Sequence, residues 1–70
     1  MKWKADSESL KPRYYEIRQD SPVDFVVFAY ENGKVIYDYL QDDLDMAMRC
    51  ARDEFGVPMD AWKKVEEQTK

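Results

Sequence analysis

The stretch Asp24-Phe25-Val26-Val27-Phe28-Ala29-Tyr30-Glu31-Asn32-Gly33-Lys34-Val35-Ile36-Tyr37-Asp38-Tyr39-Leu40 decides the fold. Two runs rich in β-branched and aromatic residues flank Asn32-Gly33. Asn-Gly is the preferred centre of a two-residue type I′ turn, because both positions need positive φ. The spacing therefore predicts a hairpin with strands over about 24–31 and 34–40. With Asn32 and Gly33 as the loop, Tyr30 faces Val35, Phe28 faces Tyr37 and Val26 faces Tyr39. On the opposite side Ala29 meets Ile36, Val27 meets Asp38 and Phe25 meets Leu40. One face is then aromatic (Val26, Phe28, Tyr30, Val35, Tyr37, Tyr39). The other is aliphatic apart from Asp38, which this register turns inward.

Upstream, 13–19 alternates. Tyr15 and Ile17 lie on one side, and Tyr14, Glu16 and Arg18 on the other, the pattern of a half-buried strand. We read it as an edge strand, closed by turn chemistry at Asp20-Ser21-Pro22. Downstream the period changes. Leu44, Ala47, Met48, Ala51 and Phe55 follow i, i+3, i+4, i+7 spacing and form one helical stripe over 42–55. Asp42 or Asp43 serves as N-cap and Asp45 complements the dipole in the first turn. Gly56 supplies the C′ position and Pro58 blocks continuation. Met59, Trp62 and Val65 predict a second, short helix over 59–67.

The expected architecture is α+β: a three-stranded antiparallel meander packed by one amphipathic helix, with a short C-terminal helix. Residues 1–12 read as a flexible polar lead, and 13–70 as a single compact domain. The long helix belongs on the aliphatic face, where Ala29 permits close approach. The aromatic face then needs another cover: the C-terminal segment through Trp62 and Met59, or a partner.

The 70 residues are 44% apolar and 37% charged, a globular mix with a heavily solvated surface. A chain this short buries only about 60% of its unfolded surface, so its core is small. There is no histidine and one cysteine, Cys50. Those counts exclude an intramolecular disulfide, a histidine-based triad and a Cys/His zinc site. No apolar leader follows Met1, and the longest apolar run, Phe25 to Tyr30, is far below a membrane span. With a lone cysteine, this predicts a cytoplasmic setting.

Fifteen acids against eleven bases give a net charge of −4. Residues 35–55 alone hold six acids and two bases. An acidic chain is a poor general partner for nucleic acid, whose binding rests on phosphate neutralisation. Asp42, Asp43 and Asp45 lack the glycine at the sixth position that a calcium loop needs, so capping explains them. Cys50 sits about 120° off the helical stripe and has no histidine to activate it; it reads as a half-buried hydrophobe. No paired carboxylates have a pocket to work in. We expect no enzyme, no cofactor and no metal.

Tyr14-Tyr15-Glu16-Ile17, the run Phe25 to Tyr30 and Asp42-Asp43-Leu44-Asp45-Met46-Ala47-Met48 together loosely resemble the HicB-like antitoxin domain of bacterial toxin–antitoxin pairs. The likeness covers 13–55 and is one of pattern. It departs at the tight Asn-Gly hairpin, where that family carries a Pro- and Gly-containing segment. The resemblance implies a small bacterial protein that neutralises a partner by occupying it.

The residues themselves favour a small protein-interaction module. Its candidate surface is the acidic helix face (Asp42, Asp45, Arg49, Asp53), the aromatic sheet face (Phe28, Tyr30, Tyr37, Tyr39) or an edge strand. The negative field would steer a basic protein such as a nuclease toxin, or the chain would pair with itself as a homodimer. The alternative is single-stranded nucleic acid on the tyrosine face, in the manner of aromatic RNA-binding sheets. Acids at both ends of Phe25–Tyr30, where such sheets carry bases, weigh against it.

Overall fold

The computed structural model describes residues 1–65. Five strands form one antiparallel sheet: β1 (Lys2–Ala5), β2 (Arg13–Ser21), β3 (Asp24–Glu31), β4 (Lys34–Gln41) and β5 (Lys63–Val65), in the order β4-β3-β2-β1-β5. The α-helix α1 (Leu44–Phe55) packs on one face, with short 3₁₀ turns at Glu8–Leu10 and Met59–Ala61. The fold is α+β, with β2, β3 and β4 as the meander.

The helix ends follow their chemistry. Asp43 is the N-cap, its carboxylate accepting from the Met46 amide at 2.8 Å. Gly56 takes the left-handed conformation (φ 73°) and its amide closes the last turn on the Arg52 and Ala51 carbonyls. Ala47 and Ala51 are fully buried, so the helix lies close against the sheet. The core beneath it is Ala5, Tyr15, Ile17, Phe25, Val27 and Ala29, completed by Val57 after the helix.

Four expectations are corrected. The first concerns 1–12, which is not a free lead. Residues 2–5 form β1, with Trp3 opposite Ile17 and Ala5 opposite Tyr15. Burial explains this, since Ala5 is fully enclosed and Trp3 packs on the core. Consequently β2 is not an edge but lies inside the sheet between β1 and β3.

The second correction concerns the hairpin register. Asn32 (φ 56°) and Gly33 (φ 78°) make the turn as expected, and Tyr30 pairs with Val35. The register then shifts by one residue, so that Ala29 faces Tyr37, Phe28 faces Asp38 and Val27 faces Tyr39. Ile36 is the extra residue of a β-bulge. Because side chains alternate with period two, one inserted residue exchanges the faces beyond it. Tyr37 and Tyr39 therefore join the helix side, their rings 5.7 and 5.9 Å from that of Phe55. Asp38 moves to the opposite side and is exposed, not inward.

Third, the segment over 59–67 is not a helix. Met59–Ala61 make one 3₁₀ turn, and Lys63–Val65 pair with β1; positions 66 and 67 lie outside the described residues. Fourth, among the described residues the C-terminal segment does not cover the far face. Ala61 and Trp62 pack against the core on the helix side, and Met59 is exposed.

Candidate interaction surface

The helix covers one face of the sheet; among the described residues no element lies over the other. The strand registers place its side chains in rows. Lys4, Glu16, Phe28 and Asp38 form one, and Lys2, Arg18, Val26 and Leu40 the next. Tyr14, Tyr30 and Val35 form a third, and β5 adds Lys63 and Val65 beside Lys4 and Lys2.

Aromatic contacts dominate the middle. The Tyr14 and Tyr30 rings stack 4.7 Å apart, and Phe28 lies 6.3 Å from Tyr30. Lys4 Nζ stands 5.0 Å from the Tyr14 ring centre and the Arg18 guanidinium 5.4 Å from that of Phe28, within the range of cation–π attraction. Glu16 is buried beneath these groups. It accepts from the Tyr30 hydroxyl at 3.3 Å and pairs with Arg18 Nε at 3.4 Å. Burial raises the Tyr30 pKa above its ordinary value, and the Glu16 charge raises it further. Towards β4 the face turns aliphatic, with Val26 half-buried and Leu40 64% exposed.

Charge divides between the two sides. The open face carries Lys2, Lys4, Arg18 and Lys63 against Glu16, Asp38 and, at the start of β3, Asp24, four bases to three acids, with the lysines gathered at the β1–β5 end. The helix side, from Asp42 to Asp60, holds six acids and two bases. A chain of net charge −4 thus presents an aromatic sheet face whose β1–β5 end is basic. An open cleft of about 380 Å³ adjoins it, lined by Lys4, Asp6, Lys11, Pro12, Arg13 and Tyr14. Its cations have partners: Lys4 with Asp6 at 3.8 Å, Lys11 with Glu8 at 3.2 Å and Arg13 with Glu31 at 2.9 Å.

The structure separates the sequence-predicted surface residues. Phe28 and Tyr30 lie on the open face; Tyr37 and Tyr39 do not. Asp42, Asp45, Arg49 and Asp53 are all exposed on the outside of the helix layer. Asp45 pairs with Arg49 at 2.9 Å, while Asp53 pairs with the adjacent Arg52 at 3.3 Å rather than continuing the ladder. Sequence reasoning missed Lys2 and Lys4, whose alternation with Trp3 and Ala5 was the available signal, and Leu40, whose face depends on the bulge. Cys50 is half-buried, and burial raises its pKa, with Glu54 adding to the effect. That is the opposite of what an activated thiolate needs.

Among the described residues no cluster of three or more His, Cys, Asp or Glu is placed to hold a metal ion, and no helix is long and apolar enough to cross a membrane. No family model matches this chain, and neither the curated proteins nor the solved structures gave a significant match.

Proposed function

We propose that this chain is a non-enzymatic binding module that takes a partner protein on the open face of its sheet. One observation carries the reading: the Val26–Phe28–Tyr30–Leu40 region has no described element over it, whereas the other face of the same sheet is sealed by α1. Exposed apolar groups rimmed by polar ones mark interaction surfaces. Tyrosine and arginine, here Tyr14, Tyr30 and Arg18, are the residues enriched where protein interfaces gain most of their energy.

The lysines at the β1–β5 end of the face favour a partner presenting acids beside an apolar centre. Lys2, Lys4 and Lys63 flank one side of the apolar strip and would meet them. The helix acids lend less support to a basic partner, because Asp43 is spent on the cap and Asp45 and Asp53 on neighbouring arginines. A protein is favoured over single-stranded nucleic acid because the rings are not free platforms. Tyr14 is stacked against Tyr30 and approached by Lys4, and Phe28 is approached by Arg18.

Capture from the native extract, followed by titration of the captured protein, tests the reading. Leu40→Lys and Arg18→Glu should each weaken that complex, while Asp45→Lys leaves it unchanged. Fluorescence anisotropy with labelled mixed-sequence single-stranded oligonucleotides is the counter-test. Saturable oligonucleotide binding lost in Phe28→Ala would replace the protein partner with nucleic acid.

A further inference from the structure

The two edges of the sheet are unlike. The described part of β5, Lys63–Val65, exposes Lys63 and Lys64. Lysines are a common device that keeps a sheet edge from pairing. β4 is eight residues long, contains no proline and exposes Val35, Ile36, Tyr37 and Leu40 by 38% to 64%. Four of the eight exposed large apolar side chains sit on this one strand. A long edge of this kind is a template for another strand.

We propose that β4 pairs antiparallel with β4 of a second copy of this chain, about a two-fold axis passing between Ile36 and Tyr37. The bulge selects that axis. Ile36 and Tyr37 together oppose Ala29, two residues against one, so the strand changes phase between them. Lys34 and Tyr39 lie on the helix side, and Val35 and Asp38 on the open side. The axis opposes Lys34 to Tyr39 and Val35 to Asp38, so that both pairs share a face, and brings Ile36 beside Tyr37 at the centre. The two sheets then continue as ten strands, five from each copy.

Charge points to the same arrangement. Tyr39 packs on Phe55, and Glu54, next to Phe55 in α1, is exposed. Lys34 of each copy therefore meets the Glu54 flank of the other, and these attractions are repeated by symmetry. A two-fold centred on Asp38 would oppose like charges directly, which is destabilising. One centred on Tyr39 would leave Val35 and Ile36 uncovered and bring the two Glu54 flanks together. The proposal stands on the edge alone, independent of what binds the open face.

Sedimentation equilibrium of the purified chain over a concentration series tests it. The expected result is a dimer of twice the 8.4 kDa chain mass. Ile36→Lys should weaken it by at least about tenfold, with the circular dichroism spectrum unchanged. Lys34→Glu should weaken it as well, and Lys34→Glu combined with Glu54→Lys should restore it. If Ile36→Lys does not fold, the Lys34/Glu54 exchange decides by itself. A monomer at every concentration overturns the proposal. So does a dimer indifferent to Ile36→Lys and broken by Val26→Lys on the open face.

Discussion

Tyr14 and Tyr30 stack across the β2–β3 pair with ring planes 2° from parallel and centres 4.7 Å apart. They stand directly opposite each other in the register. The stack ties the open face together from within, because the Tyr30 hydroxyl also donates to the buried Glu16. Ring pairs of this kind contribute about 0.5–1.5 kcal/mol beyond area burial. Tyr14→Ala should therefore lower stability by about 1–2 kcal/mol in urea titration, and Tyr30→Phe by about 1 kcal/mol through loss of the Glu16 bond. Equal, negligible effects would mean that the stack is incidental.

The turn gives a second test. Gly33 has φ 78°, and an added Cβ there meets nothing within 4 Å. Gly33→Ala should cost about 1–2 kcal/mol from backbone strain alone, read as a lower melting temperature with an unchanged fold. Asn32→Gly should be nearly neutral, since glycine also accepts positive φ.

The bulge gives a third. Ile36 is the unpaired residue, so deleting it leaves Tyr37 opposite Ala29 and Tyr39 opposite Val27 in unbroken pairing. Their contacts with Phe55 are kept. The expected outcome is a folded chain with unchanged near-ultraviolet circular dichroism and a stability change within about 1 kcal/mol. Tyr39→Ala, which removes a ring from Phe55, should cost about 2 kcal/mol or more.

These experiments bear on the features the residue pattern carried unevenly. Asn32-Gly33, Asp43 and Gly56 were legible because each position requires its residue type: positive φ at the turn and at the C′ glycine, and an oxygen acceptor at the cap. The register beyond Ala29 was not legible. β4 is apolar on both faces, so its pattern fits the core either way round, and the choice falls to the packing of Tyr37 and Tyr39 on Phe55. Trp3 and Ala5 carried a period-two signal too short to stand out among lysines. Met59, Trp62 and Val65 keep helical spacing, yet pairing with β1 draws Lys63–Val65 into extended form. The open face was half legible, since Tyr14, Glu16 and Arg18 could be grouped from β2 alone.

Alkaline pH supplies a fourth test. Burial comes first among the causes that raise the pKa values of Tyr30 and Tyr39 above the ordinary value of 10.0. The unfolded chain ionises first. Their stabilising contribution is therefore complete below pH 10 and is lost as pH rises through the higher folded values. Spectroscopic titration of tyrosinate should show components above the ordinary value. Tyr30→Phe and Tyr39→Phe should each remove one late component.

Cys50 supplies a fifth. Its thiol pKa is raised first by burial and then by Glu54. Alkylation at mildly alkaline pH should be slower in the folded chain than in urea, and Glu54→Gln should speed the folded reaction.

The position of β1 between β2 and β5 has a consequence for how the molecule opens. Val65 pairs with Lys2, so β5 closes a ring through nearly the whole described chain. Among the described residues three pairs hold it, one of which sets Lys63 against Lys4. Closing a long ring is entropically costly, and opposed like charges weaken the clasp. β5 is thus the last strand to arrive and the first to leave. Hydrogen exchange should rank the amides accordingly, fastest in β5, intermediate in β1 and slowest in β2 and β3. When the clasp opens, β1 becomes a transient outer strand, and the molecule breathes from the side away from β4.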